Sequence, residues 1–177
     1  FQQIMDGAIS HARKQRHEFL TPEHLMLRII SNIDCVAMTF KYAGIEKSKL
    51  LAFLKNHLAT LEKVPGKHKY EIDFSNNLLT AFALAGTILN GFNKSNIGLF
   101  EIIYAILNID KECPIRDFVV SNIKIPLKEL LGRLITEIAF IDPIPQLENS
   151  GSAGDHGEDD GDDDDDEGSG IDPDDSL

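Results

Sequence analysis

Two imidazoles and two carboxylates fall close together in His17-Glu18-Phe19-Leu20-Thr21-Pro22-Glu23-His24-Leu25, the most informative local segment. A metal is the first use to consider. His-Glu followed by Glu-His six residues on is not a zinc spacing, because a His-Glu-x-x-His pair sets both imidazoles on one helical turn and this order does not. Helix initiation explains part of the segment more simply. Thr21 is a good N-cap, its hydroxyl able to accept an orphan amide proton. Pro22 suits the first helical position, where its missing N–H costs nothing. Glu23 then sits in the first turn, where the helix dipole favours a carboxylate. The expectation is no metal site, with Thr21, Pro22, Glu23, His24 and Leu25 opening a helix. His11, His57 and His68 are isolated and expected to be exposed.

The other concentration of charge is acidic. From Glu148 to the last residue there are 14 Asp and Glu and no Lys or Arg. Asp163, Asp165, Glu167, Gly168 and Asp174 approach a calcium loop, but the closing residue is not the bidentate Glu, and Pro173 stands where the exiting helix should form. A solvated charge run without apolar residues cannot offset the entropy of ordering, so residues 148–177 are expected to be a disordered Asp-rich linker. Phosphate-loop and nucleophile-elbow motifs are absent, and the chain is expected not to be an enzyme.

The charge balance of the remainder matters more than the total. Of 29 acidic residues 15 precede residue 148, against all 17 Lys and Arg, so a chain of net charge −12 has a nearly neutral body. The basic residues are scattered rather than striped, which argues against nucleic acid. No apolar run nears the roughly 18 residues of a membrane span. Cys35 and Cys113 are expected to be buried free thiols in a reducing, cytoplasmic setting.

An internal repeat organises residues 1–147. Phe1, Ala8 and Ala12 align with Phe74, Ala81 and Ala85; Cys35 and Phe40 align with Cys113 and Phe118; Leu50 and Leu54 align with Leu127 and Leu131. About four extra residues precede Ile97 in the second half. Small residues four apart let helices approach closely, and apolar residues recur with helical period. Gly44 and Asn122 end corresponding helices and both tolerate the left-handed conformation. The spacing predicts helices over Phe1–Arg16, Pro22–Ser31, Cys35–Ala43 and Glu46–Glu62, then Phe74–Asn90, Leu99–Asn108, Pro114–Ser121 and Pro126–Phe140. The fold class is all-α: two copies of a four-helix unit, about 1–62 and 74–140, related by a pseudo-twofold axis and joined by a linker with Pro65-Gly66 at its centre.

Arg16-His17-Glu18-Phe19-Leu20-Thr21-Pro22-Glu23-His24-Leu25-Met26-Leu27 resembles the signature of the Clp ATPase N-terminal domain, the ClpA branch most of all. The resemblance covers residues 1 to about 140. The second half departs from it, with Gly98-Leu99-Phe100-Glu101 where Thr/Ser-x-Glu-His would stand. The resemblance implies a mobile recognition module of a hexameric unfoldase that feeds the ClpP protease. It also implies a ClpS-type adaptor and substrate polypeptides as partners, and a monomeric isolated domain. ATP and Mg would belong only to ATPase modules beyond this chain, which itself needs no cofactor. The adaptor surface is expected at an exposed edge carrying His17, Glu18, Thr21 and Glu23. Two alternatives stand beside it: direct capture of unfolded chains in an apolar groove between the halves, and a free-standing acidic cation-binding protein.

Overall fold

The computed structural model describes residues 1–140, without the side chain of the last. The Asp-rich tail and the calcium-loop reading lie outside the described residues. Eight helices follow one another: α1 (Gln2–Lys14), α2 (Pro22–Asn32), α3 (Asp34–Tyr42), α4 (Lys47–Ala59), α5 (Asn76–Gly91), α6 (Leu99–Leu107), α7 (Pro114–Asn122) and α8 (Leu127–Phe140). Two short strands, β1 (Phe19–Leu20) and β2 (Asp73–Phe74), pair in parallel, Phe19 opposite Asp73 and Leu20 opposite Phe74. The all-α expectation holds, and so do the eight helices within a few residues.

The same packing scheme occurs twice. In the first half α2 lies between α1 and α4; in the second α6 lies between α5 and α8. These central helices are buried over most of their residues, as expected of a helix enclosed by neighbours rather than resting on a surface. Ala8, Ala12, Ala81 and Ala85 are all fully buried, so the small-residue pairs do mark the close-packed faces of α1 and α5. Across the halves, α2 touches α5, α6 and α7.

Phe74 does not open a helix as its alignment with Phe1 suggested. It pairs in β2, and α5 starts after Ser75, whose Oγ accepts the Leu78 N–H at 3.2 Å. The helix stops also differ. Gly44 has φ +95°, with Gly44 N–H to Lys41 C=O at 2.9 Å and Ile45 N–H to Phe40 C=O at 2.9 Å, the crossed pair of a left-handed helix cap. Asn122, expected to match it, remains helical in α7, and Ile123 leaves in extended conformation. Two further left-handed caps fall at Arg16 (φ +57°) and Asn93 (φ +53°), which end α1 and α5. His17 N–H bonds Ala12 C=O at 3.0 Å in the first, and Lys94 N–H bonds Leu89 C=O at 3.0 Å in the second. The extra residues of the second half lie within this stretch, since α5 has 16 residues and α1 has 13.

Gly44 also touches the second half. A Cβ built there would lie 2.7 Å from Lys124 Cγ, and Lys124 N–H donates to Ala43 C=O at 2.8 Å. Gly44→Ala is therefore expected to cost about 1–2 kcal/mol, from the left-handed penalty and the displaced Lys124, read as a lower urea midpoint at unchanged slope.

Candidate functional site

The Arg16–Leu25 segment is held from both sides. After the left-handed turn at Arg16 the chain runs extended, and the linker closes over it. Val64 N–H donates to Arg16 C=O at 2.7 Å, Tyr70 OH donates to His17 C=O at 2.8 Å, and Ser75 N–H donates to Leu20 C=O at 2.9 Å. The Arg16 guanidinium returns the contact, its Nε to Val64 C=O at 3.0 Å and its terminal nitrogens to His68 C=O at 3.2 and 3.3 Å, above the Tyr70 ring. Neither Tyr70 nor Arg16 was a sequence candidate. Linker residues more than 40 positions away leave no local signal of where they dock.

Four residues were expected to share one exposed edge, and the structure separates them. Glu18 is exposed and Thr21 half-buried, but His17 and Glu23 are each only 2% exposed. The correction has a physical cause in each case. Glu23 opens α2 as expected, yet its Oε1 also accepts the Ile115 N–H at 3.1 Å. Ile115 is in the first turn of α7, behind Pro114, and the Cys113 N-cap supplies no side-chain bond of its own. A carboxylate of the first half thus caps a helix of the second, where the dipole and orphan N–H favour it. The same burial, with the Glu23 and Asp117 charges adding to it, pushes the Cys113 thiol up to about 11. Cys113 is buried as expected; Cys35 is exposed, contrary to expectation.

His17 turns inward to meet His24. Thr21 is the N-cap of α2, and His24, three residues on, fills the position that Glu or Gln takes in a capping box. Thr21 N–H donates to His24 Nδ1 at 3.0 Å, and the Thr21 hydroxyl lies 2.9 Å from the same nitrogen. His17 Nδ1 and His24 Nε2 are 2.8 Å apart. Protons can be assigned along this chain. A backbone N–H can only donate, so His24 Nδ1 is bare and its proton is on Nε2. That proton is donated to His17 Nδ1, which leaves the His17 proton on Nε2. Both rings are neutral, and neither keeps a lone pair for a metal. Among the described residues no group of three or more His, Cys, Asp or Glu is placed to hold one. Burial above all lowers the His24 pKa to about 3, and a proton on His17, His11 or His57 would act in the same direction. His17 is lowered first by burial, then by His11 and Lys63, against the opposing Leu58 carbonyl. His11 and His57 are half-buried beside this pair rather than exposed; His68 is exposed. In the second half Glu101 stands where His24 does, buried against Lys94 at 3.3 Å.

Fold and site together define an all-helical double-repeat domain in which the His17–Leu25 segment is part of the scaffold. The Clp repeat (R) N-terminal domain family matches residues 1–118, and the chain belongs to it. Domains of this family are non-catalytic and bind substrates and adaptors for AAA+ ATPases. No curated protein matches the chain. Among solved structures it is similar to the Hsp104 N-terminal domain from Candida albicans, at 19% identity and TM-score 0.63 over 77% of this chain and 87% of that one. A chain from a malarial protein secretion system gives 16% identity and TM-score 0.62, over 82% and 95%. A chain described as a peptide from the EAEC T6SS Sci1 SciI protein gives 15% and 0.59, over 76% and 85%. At these identities the likeness is one of fold. No helix among the described residues is long and apolar enough to cross a membrane.

Proposed function

We propose that this domain docks a ClpS-type adaptor for a ClpA-like unfoldase, whose ATPase modules, with their ATP and Mg, lie beyond this chain and pass substrates to ClpP. Family membership supports the general role. The observation that carries the site is an edge of unlike side chains on a rigid frame. Glu18 is exposed and Phe19, at 43% exposure, stands next to it, on a segment fixed by the linker and by β2. A charge beside an exposed aromatic on ordered backbone suits a docking edge, the charge giving orientation and rate and the ring giving affinity. Thr21 borders this edge; His17 and Glu23 support it from beneath.

Calorimetric titration of the chain with a ClpS-type adaptor tests the reading. One-to-one binding is expected, weakened about tenfold or more by Glu18→Lys and by Phe19→Ser, with melting temperatures close to wild type because both side chains are exposed. Unchanged affinity in both variants sinks the assignment. Glu23→Lys is unsuitable as a probe, since a buried ammonium against the α7 N-terminus unfolds the domain rather than reporting on contact.

A second reading, direct binding of unfolded polypeptides, is favoured by exposed apolar side chains at Met38 and Tyr42 on α3 and Val120 on α7. It predicts adaptor-independent binding of an unstructured polypeptide that Met38→Ser weakens.

A further inference from the structure

The end of α1 and the linker bring together cations that lie far apart in the chain. Arg13, Arg16, Lys67 and Lys69 line one open cavity of about 640 Å³, and Glu71 is the only carboxylate among the described residues that line it. Residues 1–147 are nearly neutral as a whole, so this is a local excess of positive charge. Arg13, Lys67 and Lys69 are exposed, and among the described residues none of them has a hydrogen-bond or ion-pair partner. Arg16 differs. Its guanidinium is already ordered by bonds to the Val64 and His68 carbonyls, so its charge stays in place without further loss of side-chain freedom. One fixed cation and three unpaired ones therefore share the cavity.

Their exposure argues against a single small anion as the ligand. One exposed ion pair changes an affinity by less than about fivefold, because water and salt screen it. Several carboxylates on one chain act together, since the first contact holds the others nearby. The volume agrees, being far larger than one ion needs. Nucleic acid is the other common polyanion. Its single strands bind by stacking bases on open aromatic rings, and the ring here is already engaged. The Arg16 guanidinium lies over the Tyr70 ring at 5.0 Å, and the Tyr70 OH is committed to the His17 carbonyl. A polypeptide rich in Asp and Glu needs only the cations.

We propose that this cavity is a docking surface for an acidic segment of a separate polypeptide, with several Asp or Glu within a few residues of one another. It shares no residue with the Glu18–Phe19 edge and needs no adaptor, so either assignment can fail alone.

The test is fluorescence anisotropy of the full chain with a labelled peptide of alternating Glu and Ser. Saturable binding is expected, weakening severalfold between roughly 50 and 200 mM salt. The same peptide with Gln in place of Glu should not bind. Lys67→Gln with Lys69→Gln is expected to weaken binding about tenfold, the product of two exposed pairs. Lys41→Gln with Lys49→Gln removes the same charge from exposed positions outside the cavity and should change the affinity less than about twofold. All four side chains are exposed, so melting temperatures should stay near wild type. Equal weakening by the two double variants overturns the site, because net charge alone would then explain the binding. An oligothymidylate of equal charge that binds more tightly than the peptide overturns the choice of partner. No binding of the Glu peptide at the lower salt overturns the proposal outright.

Discussion

Replacing Glu23 by Ala is expected to remove about 3 kcal/mol of stability. Three effects add. The Ile115 N–H becomes a buried unpaired donor, which alone costs about 1–3 kcal/mol. The favourable placement of a negative charge at the N-termini of α2 and α7 disappears. A small void opens between halves that meet chiefly through α2. For a domain of this size the change corresponds to roughly 10 °C in melting temperature. Glu23→Gln keeps an acceptor for Ile115 and should lose about half as much. Glu18→Ala, on the exposed neighbour, should stay within about 0.5 kcal/mol of wild type. Urea unfolding of the three variants decides the matter. A Glu23→Ala loss below about 1 kcal/mol would mean that the cross-repeat cap is incidental.

Acid should weaken the fold well before the carboxylates titrate. His24 has its folded pKa held near 3, against an ordinary value of 6.5, principally by burial. Its neutral form is therefore the one that folding favours. The contribution is fully present above pH 6.5; as pH falls below that, the unfolded chain binds a proton that the folded chain refuses. Stability then declines by about 1.4 kcal/mol per pH unit from this residue alone, the decline ending only near pH 3. His17 is lowered in the same sense and steepens the fall. The interval from pH 6.5 to 5 is diagnostic, because ordinary Asp and Glu titrate lower. His24→Gln retains a side-chain acceptor for Thr21 N–H and is expected to flatten the slope there while keeping the helix start. A wild-type urea midpoint that does not move between pH 7 and 5 would contradict the neutral, buried assignment.

The linear chain determined a good deal. Helical periodicity, the paired alanines and the repeated apolar spacing located eight helices, because burial of one face is written locally, residue by residue. Thr21-Pro22 marked the start of α2 for the same reason: a cap is satisfied within a turn of itself. Gly44 was legible as a left-handed stop, whereas Arg16 and Asn93 were not. Their conformation is tolerated rather than preferred, and it is enforced by where the following chain must go.

The edge at residues 17–23 shows what sequence could not decide. His17, Glu18, Thr21 and Glu23 are all polar and so all read as surface. Tertiary structure sent Glu23 to an amide 92 residues away, sent His17 to His24, and left Glu18 and Phe19 outside. A polar side chain is buried when a distant partner offers the complementary hydrogen bond. That partner is brought by the packing of the two halves, which no local spacing records.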